Sequence, residues 1–372
     1  MRVLHVTPSF SPCIGGIEKV VHQLALGLAT RGVETAVAHV APNLRYGREQ
    51  LGTLAVWRVP LIGHRLFGLS PALRGIMHGY DLLHVHDPQL MALTFNAAVA
   101  GGSKPLVLST HGGYYHTSRH RAFKALHERF LLRSMLSTYD RVLATSLADQ
   151  AHFSRFSAAV DLAENGVETV RFAKIHGENR SFRQWIYWGR LSRNKRLDRA
   201  IDLARLAVDA GENVDFLITG PDFDDLTGSL KAHIASRGLE KHVQVKPALD
   251  DVELDRELAT RGVYVTASEH EGFGLGVVEA LAAGLLILCR DIAPLNGFVS
   301  DRSNGFFLAF DGSERDRRAL VELLSATPDQ QRMMSLGARR AAERYSWEAA
   351  VARFAAIYAD VLASRSLTGS TA

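Results

Sequence analysis

The sequence has 372 residues, of which 47% are apolar and 22% are charged, and its formal net charge is +4. These proportions match an average globular protein and exclude a disordered chain, while the lack of a Gly-x-y or heptad period excludes a fibrous one. No apolar run reaches the roughly 20 residues that a membrane-spanning helix needs. The first residues resemble a strand rather than a signal peptide. We therefore expect a soluble, cytoplasmic protein of about two domains.

The charge is distributed unevenly along the chain. Residues 1–175 carry 18 Lys and Arg against 11 Asp and Glu, which is a net +7, and the remainder carries −3. A basic first half favours an anionic partner such as a phosphate, a nucleic acid or an acidic membrane surface. The alternative is a chance imbalance between two ordinary protein surfaces.

Short apolar runs alternate with helical patterns in two successive series. The runs of the first series are 2–8, 34–41, 54–60, 81–87, 105–110 and 141–146, with the clearest helical patterns at 17–30 and 120–137. The second series has runs at 184–189, 214–220, 242–247, 262–268 and 285–291. Runs that are apolar on both faces and separated by helices are typical of parallel sheets covered on both sides. Two series predict two doubly wound α/β domains.

We place the domain limits at the polar, turn-forming stretches between the two series. Asn165-Gly166 is a turn dipeptide, and a polar stretch at 177–181 precedes the second series. The predicted domains are 1–175 and 176–345, followed by a C-terminal helical segment at 346–372. Because open α/β sheets bind ligands at the carboxyl ends of their strands, functional residues are expected in the turns after each strand.

Two of these turns combine backbone donors or cations with a strand end. Gly15 and Gly16 precede a helix, where backbone N–H groups and the helix dipole favour an anion, although a simple turn explains them as well. No Gly-x-Gly-x-x-Gly follows a strand, which argues against a dinucleotide-dependent dehydrogenase. Arg190 and Lys195 follow the first strand of the second series and can bind a diphosphate. A solvated basic turn is the alternative for this pair.

The turn at 269–280 carries the most information. The backbone N–H groups of Gly272, Phe273, Gly274 and Leu275 crowd the start of a helix. Glu271 precedes that helix and Glu279 lies on its second turn. Ionised carboxylates only accept hydrogen bonds, so this pair suits a ligand rich in hydroxyl groups. The alternative, a capping Glu with a solvated Glu, explains the glycine-rich start less well.

Together these motifs resemble the retaining glycosyltransferases of family 4, which have the GT-B fold. The motifs in matching order are Gly15-Gly16-Ile17-Glu18, Asn165-Gly166-Val167-Glu168, Gly189-Arg190-Leu191 with Lys195, Gly220-Pro221, and the Glu271 to Glu279 pair. The match covers essentially the whole chain. It implies two Rossmann-like domains facing across a cleft, the first binding an acceptor and the second a nucleotide-sugar donor, with the C-terminal helix crossing back to the first domain.

The same resemblance implies roles for individual residues. It assigns the diphosphate to Arg190 and Lys195, the distal phosphate to the backbone of Gly16, and the ribose to Glu279. It places Glu271 and His111 at the donor sugar. The turn that contacts the nucleobase in this fold contains Asp251, whose carboxylate suits the two adjacent N–H donors of guanine. Helix capping at this turn is the alternative for the Asp250-Asp251 pair.

Two further patterns bear on a metal ion. His84 and His86 alternate on one strand face and suggest a metal site, but we find no third ligand in the sequence and favour packing. Asp222-Phe223-Asp224 has the form of a metal-binding D-x-D, yet it precedes a helix, so capping explains it better. We therefore predict that no cofactor or metal is required, and we expect no nucleic acid as a partner.

The region after His111 bears on the acceptor. Tyr114 and Tyr115 can stack on a sugar face or simply pack. The run Thr110–Thr117 is similar to the mannosyltransferases of xanthan- and acetan-type exopolysaccharide assembly, which use GDP-mannose and a lipid-linked cellobiose. Residues 119–133 hold five basic residues and one acidic one with apolar residues at helical spacing. Such a helix can lie on an anionic membrane surface or can dock by its apolar face.

We therefore predict an α-mannosyltransferase that acts on a lipid-linked saccharide at the inner face of the plasma membrane. The same fold with a UDP-glucose or UDP-N-acetylglucosamine donor is the first alternative. A sugar-nucleotide epimerase is the second, although the sequence shows no further acid and base pair for it. A nucleotide-binding module without activity is the third.

Overall fold

The computed structural model describes residues 1–13, 15–112, 125–175 and 180–369. The chain forms two compact units, Met1–Gly166 with Trp347–Ala372, and Val167–Ser346. Each unit is built on a sheet whose strands are parallel, apart from one antiparallel edge strand in the first. The predicted class of two doubly wound α/β domains is therefore confirmed.

The first unit contains an eight-stranded sheet. Its strands are β1 (Arg2–Thr7), β2 (Glu34–Ala41), β3 (Gly47–Leu51), β4 (Leu54–Pro60), β5 (Leu82–His86), β6 (Leu106–Ser109), β7 (Arg141–Ala144) and β8 (Val160–Leu162). They lie in the order β3-β4-β2-β1-β5-β6-β7-β8. The order in which strands are added to the sheet reverses between the parallel neighbours β1 and β5, and the residues of β5 are all buried. Because β1 and β5 are buried on both faces, they form the centre of this sheet.

Helices cover both faces of the first sheet. They are α1 (Gly16–Ala29), α2 (Ala72–Met77), α3 (Ala92–Gly101), α4 (Arg133–Leu136) and α5 (Leu147–Phe153). A helical segment at 125–127 and a π-helical turn, Glu128–Leu132, lead into α4. The predicted helix at 120–137 is thus present where the structure describes it.

The second unit contains a six-stranded parallel sheet. Its strands are β9 (Ser181–Trp188), β10 (Asp215–Thr219), β11 (Val243–Lys246), β12 (Arg261–Thr266), β13 (Leu286–Cys289) and β14 (Gly305–Phe307). Their order, β11-β10-β9-β12-β13-β14, is that of a dinucleotide-binding fold. Its helices are α6 (Thr169–Ala173), α7 (Leu197–Asp209), α8 (Thr227–Ser236), α9 (Asp251–Thr260), α10 (Leu275–Ala283), α11 (Glu314–Leu324) and α12 (Pro328–Ala342). Short 3-10 turns occur at Arg193–Lys195, Leu295–Gly297 and Glu343–Tyr345.

The last helix, α13 (Trp347–Gly369), belongs to the first unit. Val351, Phe354 and Tyr358 on this helix are buried in a cluster that also contains Leu24 and Leu28 of α1. Burial of such side chains contributes about 1.5–3 kcal/mol each. The apolar spacing along the tail therefore reflects packing on the first sheet unit. Within the described residues, no helix combines the length and hydropathy required to cross a bilayer.

Three strands do not appear in the sequence prediction. They are β3, β8 and β14, which all lie at sheet edges and have five residues or fewer. β3 has the sequence GREQL and pairs antiparallel with β4. Such short or charged edge strands lack the continuous apolar pattern by which the central strands are found.

Candidate active site

In the second unit, the predicted donor residues follow the strands β9 and β12. These strands are neighbours, and the chain order reverses between them. Ligands of doubly wound sheets bind outside the carboxyl ends of the strands at such a reversal. Arg190 and Lys195 follow β9, and Glu271 and Glu279 follow β12. The fold thus carries two cations and two carboxylates at the position where a ligand is expected.

Direct contacts join the loop after β9 to the loop after β12. Lys195 Nζ lies 2.6 Å from Glu271 Oε1, and both side chains are mostly buried. Arg196 Nη1 lies 2.5 Å from Glu269 Oε1. The backbone N–H of Glu269 donates to the carbonyl of Asn194 at 3.0 Å. Lys195 and Glu271, which lie 76 residues apart, are therefore held side by side.

Two glycines allow the strand end at Arg190 to form. Gly189 and Gly220 have φ angles of +147° and +150°, and a Cβ on Gly220 would lie 1.8 Å from the carbonyl oxygen of Gly189. No side chain can be accommodated there, so the Gly220-Pro221 motif serves a close approach of two backbones. Arg190 is exposed, and its guanidinium lies 5.1 Å from the centre of the Phe223 ring. Phe223 thus orients Arg190 through a cation–π contact, a role that we did not infer from the sequence.

The glycine-rich turn after β12 produces the start of α10. Gly274 precedes the helix with a φ of +88°, and Leu275 is its first residue. Phe273 is buried, and its ring packs edge-on against Phe298 and Tyr345. Its side chain therefore anchors the turn, and only the backbone of this stretch is available as a donor. Gly272 lies in the same turn and is partly exposed.

Glu279 lies on the buried side of α10 and is only 7% exposed. The indole N–H of Trp188 donates to its Oε2 at 3.4 Å. Tyr264 lies beside this pair and donates its hydroxyl to the Trp188 carbonyl at 3.2 Å. Burial and the negative charges of Glu271 and Glu279 raise the pKa of Tyr264 well above its ordinary value. An enclosed carboxylate of this kind is a strong acceptor for hydroxyl groups.

Asp250 and Asp251 have different positions and contacts at the start of α9. Asp250 is the N-cap and forms a reciprocal capping box with Glu253. Asp251 is the first helical residue, its side chain is 82% exposed, and its Oδ1 lies 2.8 Å from Arg171 Nη1. Capping is thus complete without the Asp251 carboxylate. Its predicted contact with a guanine base stays a prediction.

The Asp222-Phe223-Asp224 motif caps helix starts and turns. The carboxylate of Asp222 accepts from the backbone N–H groups of Leu226 and Thr227 at 2.7 and 2.9 Å. A hydrogen bond from the Thr227 hydroxyl, together with these two backbone bonds, holds the pKa of Asp222 below its usual range. Asp224 accepts from the backbone N–H of Arg193 at 2.8 Å. Asp222 thus satisfies N–H groups at the start of α8, although the N-cap of that helix is Leu226, which makes no side-chain cap.

In the first unit, Gly16 is the first residue of α1 and is exposed. The Glu18 side chain lies against Gly15 at this helix start. This helix start therefore carries a carboxylate close to the N–H group that is assigned to the distal phosphate. Tyr114 and Tyr115 lie outside the described residues.

His111 follows β6 in a left-handed conformation with a φ of +49°. Asp149 holds this turn, because its carboxylate accepts from the Thr110 hydroxyl and from the backbone N–H of Gly112. Burial raises the pKa of Asp149. A left-handed conformation costs a non-glycine residue about 1–2 kcal/mol, which these hydrogen bonds offset. Sequence reasoning did not identify Asp149.

His84 and His86 do share one buried face of β5, as predicted, but a third histidine accompanies them. His5 on β1 is the register partner of His84, and ring nitrogens of the three residues lie within 4.8 Å of one another. The statement that no third ligand exists was therefore wrong. His5 was not identified from the sequence because the pairing of β1 with β5 brings together residues 79 positions apart, such as His5 and His84.

Comparison with known proteins identifies the family. Residues 14–171 match the family described as Glycosyltransferase Family 4, and residues 170–340 match Glycosyl transferases group 1. A protein of Xanthomonas oryzae pv. oryzae named GDP-mannose:cellobiosyl-diphosphopolyprenol alpha-mannosyltransferase is 30% identical over 97% of both chains. Its namesake of Xanthomonas campestris is 29% identical over 95% of both. The phosphatidyl-myo-inositol mannosyltransferase of Mycobacterium tuberculosis is 25% identical over 98% of both.

Solved structures share the fold at lower sequence identity. Sucrose-phosphate synthase of Thermosynechococcus elongatus superposes with a TM-score of 0.76 at 16% identity, covering 98% of this chain and all of the other. Anabaena HepE in complex with UDP superposes with a TM-score of 0.75 at 17% identity, covering 97% of this chain and all of the other. The protein is therefore a glycosyltransferase of the GT-B fold and belongs to glycosyltransferase family 4.

Proposed function

We propose that this enzyme transfers mannose from GDP-mannose, with retention of configuration, to a cellobiose unit on a polyprenyl diphosphate during exopolysaccharide assembly. The observation that carries the proposal is the set of relatives at 27–30% identity that share the name GDP-mannose:cellobiosyl-diphosphopolyprenol alpha-mannosyltransferase. Each aligns over at least 94% of its own length. Likeness over so much of both chains includes both units.

The geometry of the second unit supports a nucleotide-sugar donor. Arg190 and Lys195 supply positive charge for the diphosphate, and the enclosed Glu279 accepts from ribose hydroxyls. Glu271 is assigned to the transferred sugar, and the family resemblance assigns His111 of the first unit to the same reaction. The bond from the anomeric carbon to the diphosphate oxygen breaks while an acceptor hydroxyl oxygen attacks from the same face. The proton of that hydroxyl passes to the departing diphosphate, so catalysis consists mainly of stabilising charge on the leaving group.

The donor base is tested through Asp251. Guanine offers N1–H and N2–H donors to one carboxylate, whereas uracil offers one ring N–H, and unpaired buried groups make such sites selective. Calorimetry should show GDP bound more tightly than UDP. Asp251→Ala should weaken GDP about 10-fold to 100-fold, the loss expected for a hydrogen bond to a charged group, and should leave UDP unchanged. Asp255→Ala is the matched control, because Asp255 pairs with the same Arg171 at 2.8 Å.

Equal affinity of the wild type for UDP and GDP would overturn the guanine assignment and favour a UDP-sugar donor. A panel of nucleotide sugars with a lipid-linked cellobiose acceptor then identifies the substrate by nucleoside diphosphate release. Conversion of the sugar without an acceptor would indicate an epimerase, and binding without turnover would indicate a binding module. The assay contains excess chelator, since we also propose that transfer requires no metal ion.

We further propose that the enzyme binds the anionic inner face of the plasma membrane, where a polyprenyl-linked acceptor is anchored. Leu126, Phe130 and Leu131 are 58%, 62% and 55% exposed. Arg129 and Arg133 are exposed between and beside them. The described part of this segment therefore leaves these three apolar side chains and the arginines in solvent, while Leu132 and Leu136 dock it in the core. Apolar side chains flanked by arginines suit the interface of an anionic bilayer.

Liposome flotation tests this membrane contact. Wild-type protein should float with vesicles containing anionic lipid, and binding should fall with added salt. Changing Arg119, Arg121 and Lys124 to serine should weaken binding about 100-fold, at roughly 1 kcal/mol for each basic residue. Changing Leu126, Phe130 and Leu131 to serine should abolish it. Val321→Ser, at a 62% exposed position on α11, should have no effect. Equal flotation with purely neutral vesicles would contradict the proposal.

A further inference from the structure

Three histidines in the first unit form a continuous hydrogen-bonded chain. Nδ1 of His5 lies 3.0 Å from Nε2 of His86. Nδ1 of His86 lies 2.9 Å from Nε2 of His111. His5 and His86 are fully buried on neighbouring central strands, and His111 begins the turn after β6. This row of hydrogen-bonded histidines therefore runs from the core of the sheet to the carboxyl end of a strand, where ligands bind.

The buried histidines are arranged for hydrogen bonding rather than for holding a metal ion. Both ring nitrogens of His84 are engaged, Nδ1 with the Tyr358 hydroxyl at 2.6 Å and Nε2 with the Ser109 hydroxyl at 2.7 Å. The facing nitrogens of His5 and His86 share a proton at 3.0 Å. A metal ion would break at least two of these bonds, and the three imidazoles supply no negative charge to offset its desolvation.

The number of ring protons limits the tautomers that the three hydrogen-bonded histidines can adopt. Burial lowers the pKa of His5 to about 3 and that of His111 to about 4, and it also lowers the pKa of His86. All three rings are therefore neutral near pH 7, and each carries one proton. Two N···N hydrogen bonds then leave two arrangements, in which every proton lies either on Nδ1 or on Nε2.

The environment of His5, the histidine deepest in the sheet, selects between these two arrangements of protons. Nε2 of His5 is buried and has no hydrogen-bond partner among the described residues. A proton on that nitrogen would be a buried donor without an acceptor, which native structures avoid more strictly than an unused acceptor. The proton of His5 therefore lies on Nδ1 and is donated to His86. His86 in turn donates its own Nδ1 proton to His111.

We propose that His5 and His86 are positioning residues that fix His111 as the tautomer protonated on Nδ1. His111 then accepts at Nε2 from His86 and keeps a donor at Nδ1 for the substrate. Asp149 supports the same ring from the backbone side by holding Thr110 and Gly112. The catalytic meaning of this tautomer rests on the proposed contact of His111 with the donor sugar.

Nitrogen NMR of histidine-labelled enzyme tests the tautomer directly and without any substrate. The His111 signals are assigned by their loss in His111→Ala. In the wild type, Nδ1 should be protonated and Nε2 unprotonated, the reverse of the preference of free histidine in water. In His86→Leu the donor to Nε2 is lost, and His111 should shift toward the Nε2-protonated form. In His86→Asn the side-chain amide replaces the Nδ1 donor, and the wild-type tautomer should return.

Steady-state kinetics then distinguish a positioning role of His86 from a purely structural one. His86→Leu should lower kcat about tenfold, the effect of one hydrogen bond, with little change in the donor KM, and His86→Asn should recover most of it. Tyr358→Phe removes a hydrogen bond from His84 in the same cluster and should change neither the tautomer nor kcat.

His5→Leu, compared with His5→Asn, provides a second pair if His86→Leu does not fold. A wild-type His111 protonated on Nε2, or a tautomer unaltered in both leucine variants, would overturn the proposal. Because NMR reads the tautomer without a donor, absence of mannosyl transfer would count against the proposed function alone.

Discussion

We expect Lys195→Ala to lower kcat/KM by about 30-fold to 1,000-fold. In the proposed mechanism the ammonium group stabilises negative charge on the departing diphosphate, and removing one such group from a preorganised site costs about 2–4 kcal/mol of transition-state stabilisation. The structure strengthens this expectation, because the Glu271 carboxylate at 2.6 Å already fixes the lysine. Steady-state kinetics with the donor at varied concentration measure the effect.

Loss of Lys195 also leaves Glu271 without this partner, and the two effects need to be separated. A double-mutant cycle with Glu271→Gln isolates the part that belongs to the ion pair. Arg183→Ala is the control, because Arg183 pairs with Glu212 at 2.7 Å near the opposite end of β9. It should alter stability slightly and leave turnover unchanged. Wild-type turnover in Lys195→Ala would remove this lysine from the mechanism.

The fold could be predicted wherever a strand is buried on both faces. All eleven predicted runs form strands, and ten of them lie inside a sheet, where a parallel strand is covered on both faces. The eleventh, β11, lies at a sheet edge but keeps an alternating apolar pattern. The edge strands β3, β8 and β14 were not predicted, since all three are short and β3 is charged. The limits of sequence reasoning therefore follow the length and the apolar pattern of each strand.

The candidate site could be predicted only where chemistry and strand ends coincide. Arg190, Lys195, Glu271 and Glu279 all stand within a few residues of a strand or helix boundary, so their position follows from the topology. The residues that orient these side chains come from segments that are distant in the sequence. Phe223 beneath Arg190 and His5 beside His86 are examples, and a single sequence carries no signal of such pairing.

Replacing Glu279 by Gln and replacing Glu271 by Gln should have different effects on the enzyme. Glu279 is enclosed beside Trp188 and is assigned to the ribose, which is bound alike in the ground state and the transition state. Glu279→Gln should therefore weaken donor binding about 10-fold to 100-fold, because a hydrogen bond to a charged group contributes about 1.5–3 kcal/mol. Its kcat should change little.

Glu271 is assigned to the sugar that reacts and pairs with Lys195, so we expect its charge to matter most as the leaving group departs. Glu271→Gln should lower kcat at least tenfold while donor affinity stays within about threefold, as expected for an interaction made mainly in the transition state. Calorimetry with GDP-mannose and single-turnover kinetics measure the two quantities separately. Glu269→Gln, at a half-exposed neighbour paired with Arg196, is the matched control. Unchanged donor affinity in Glu279→Gln would refute the ribose assignment, and a binding defect without a kinetic one in Glu271→Gln would exchange the two roles.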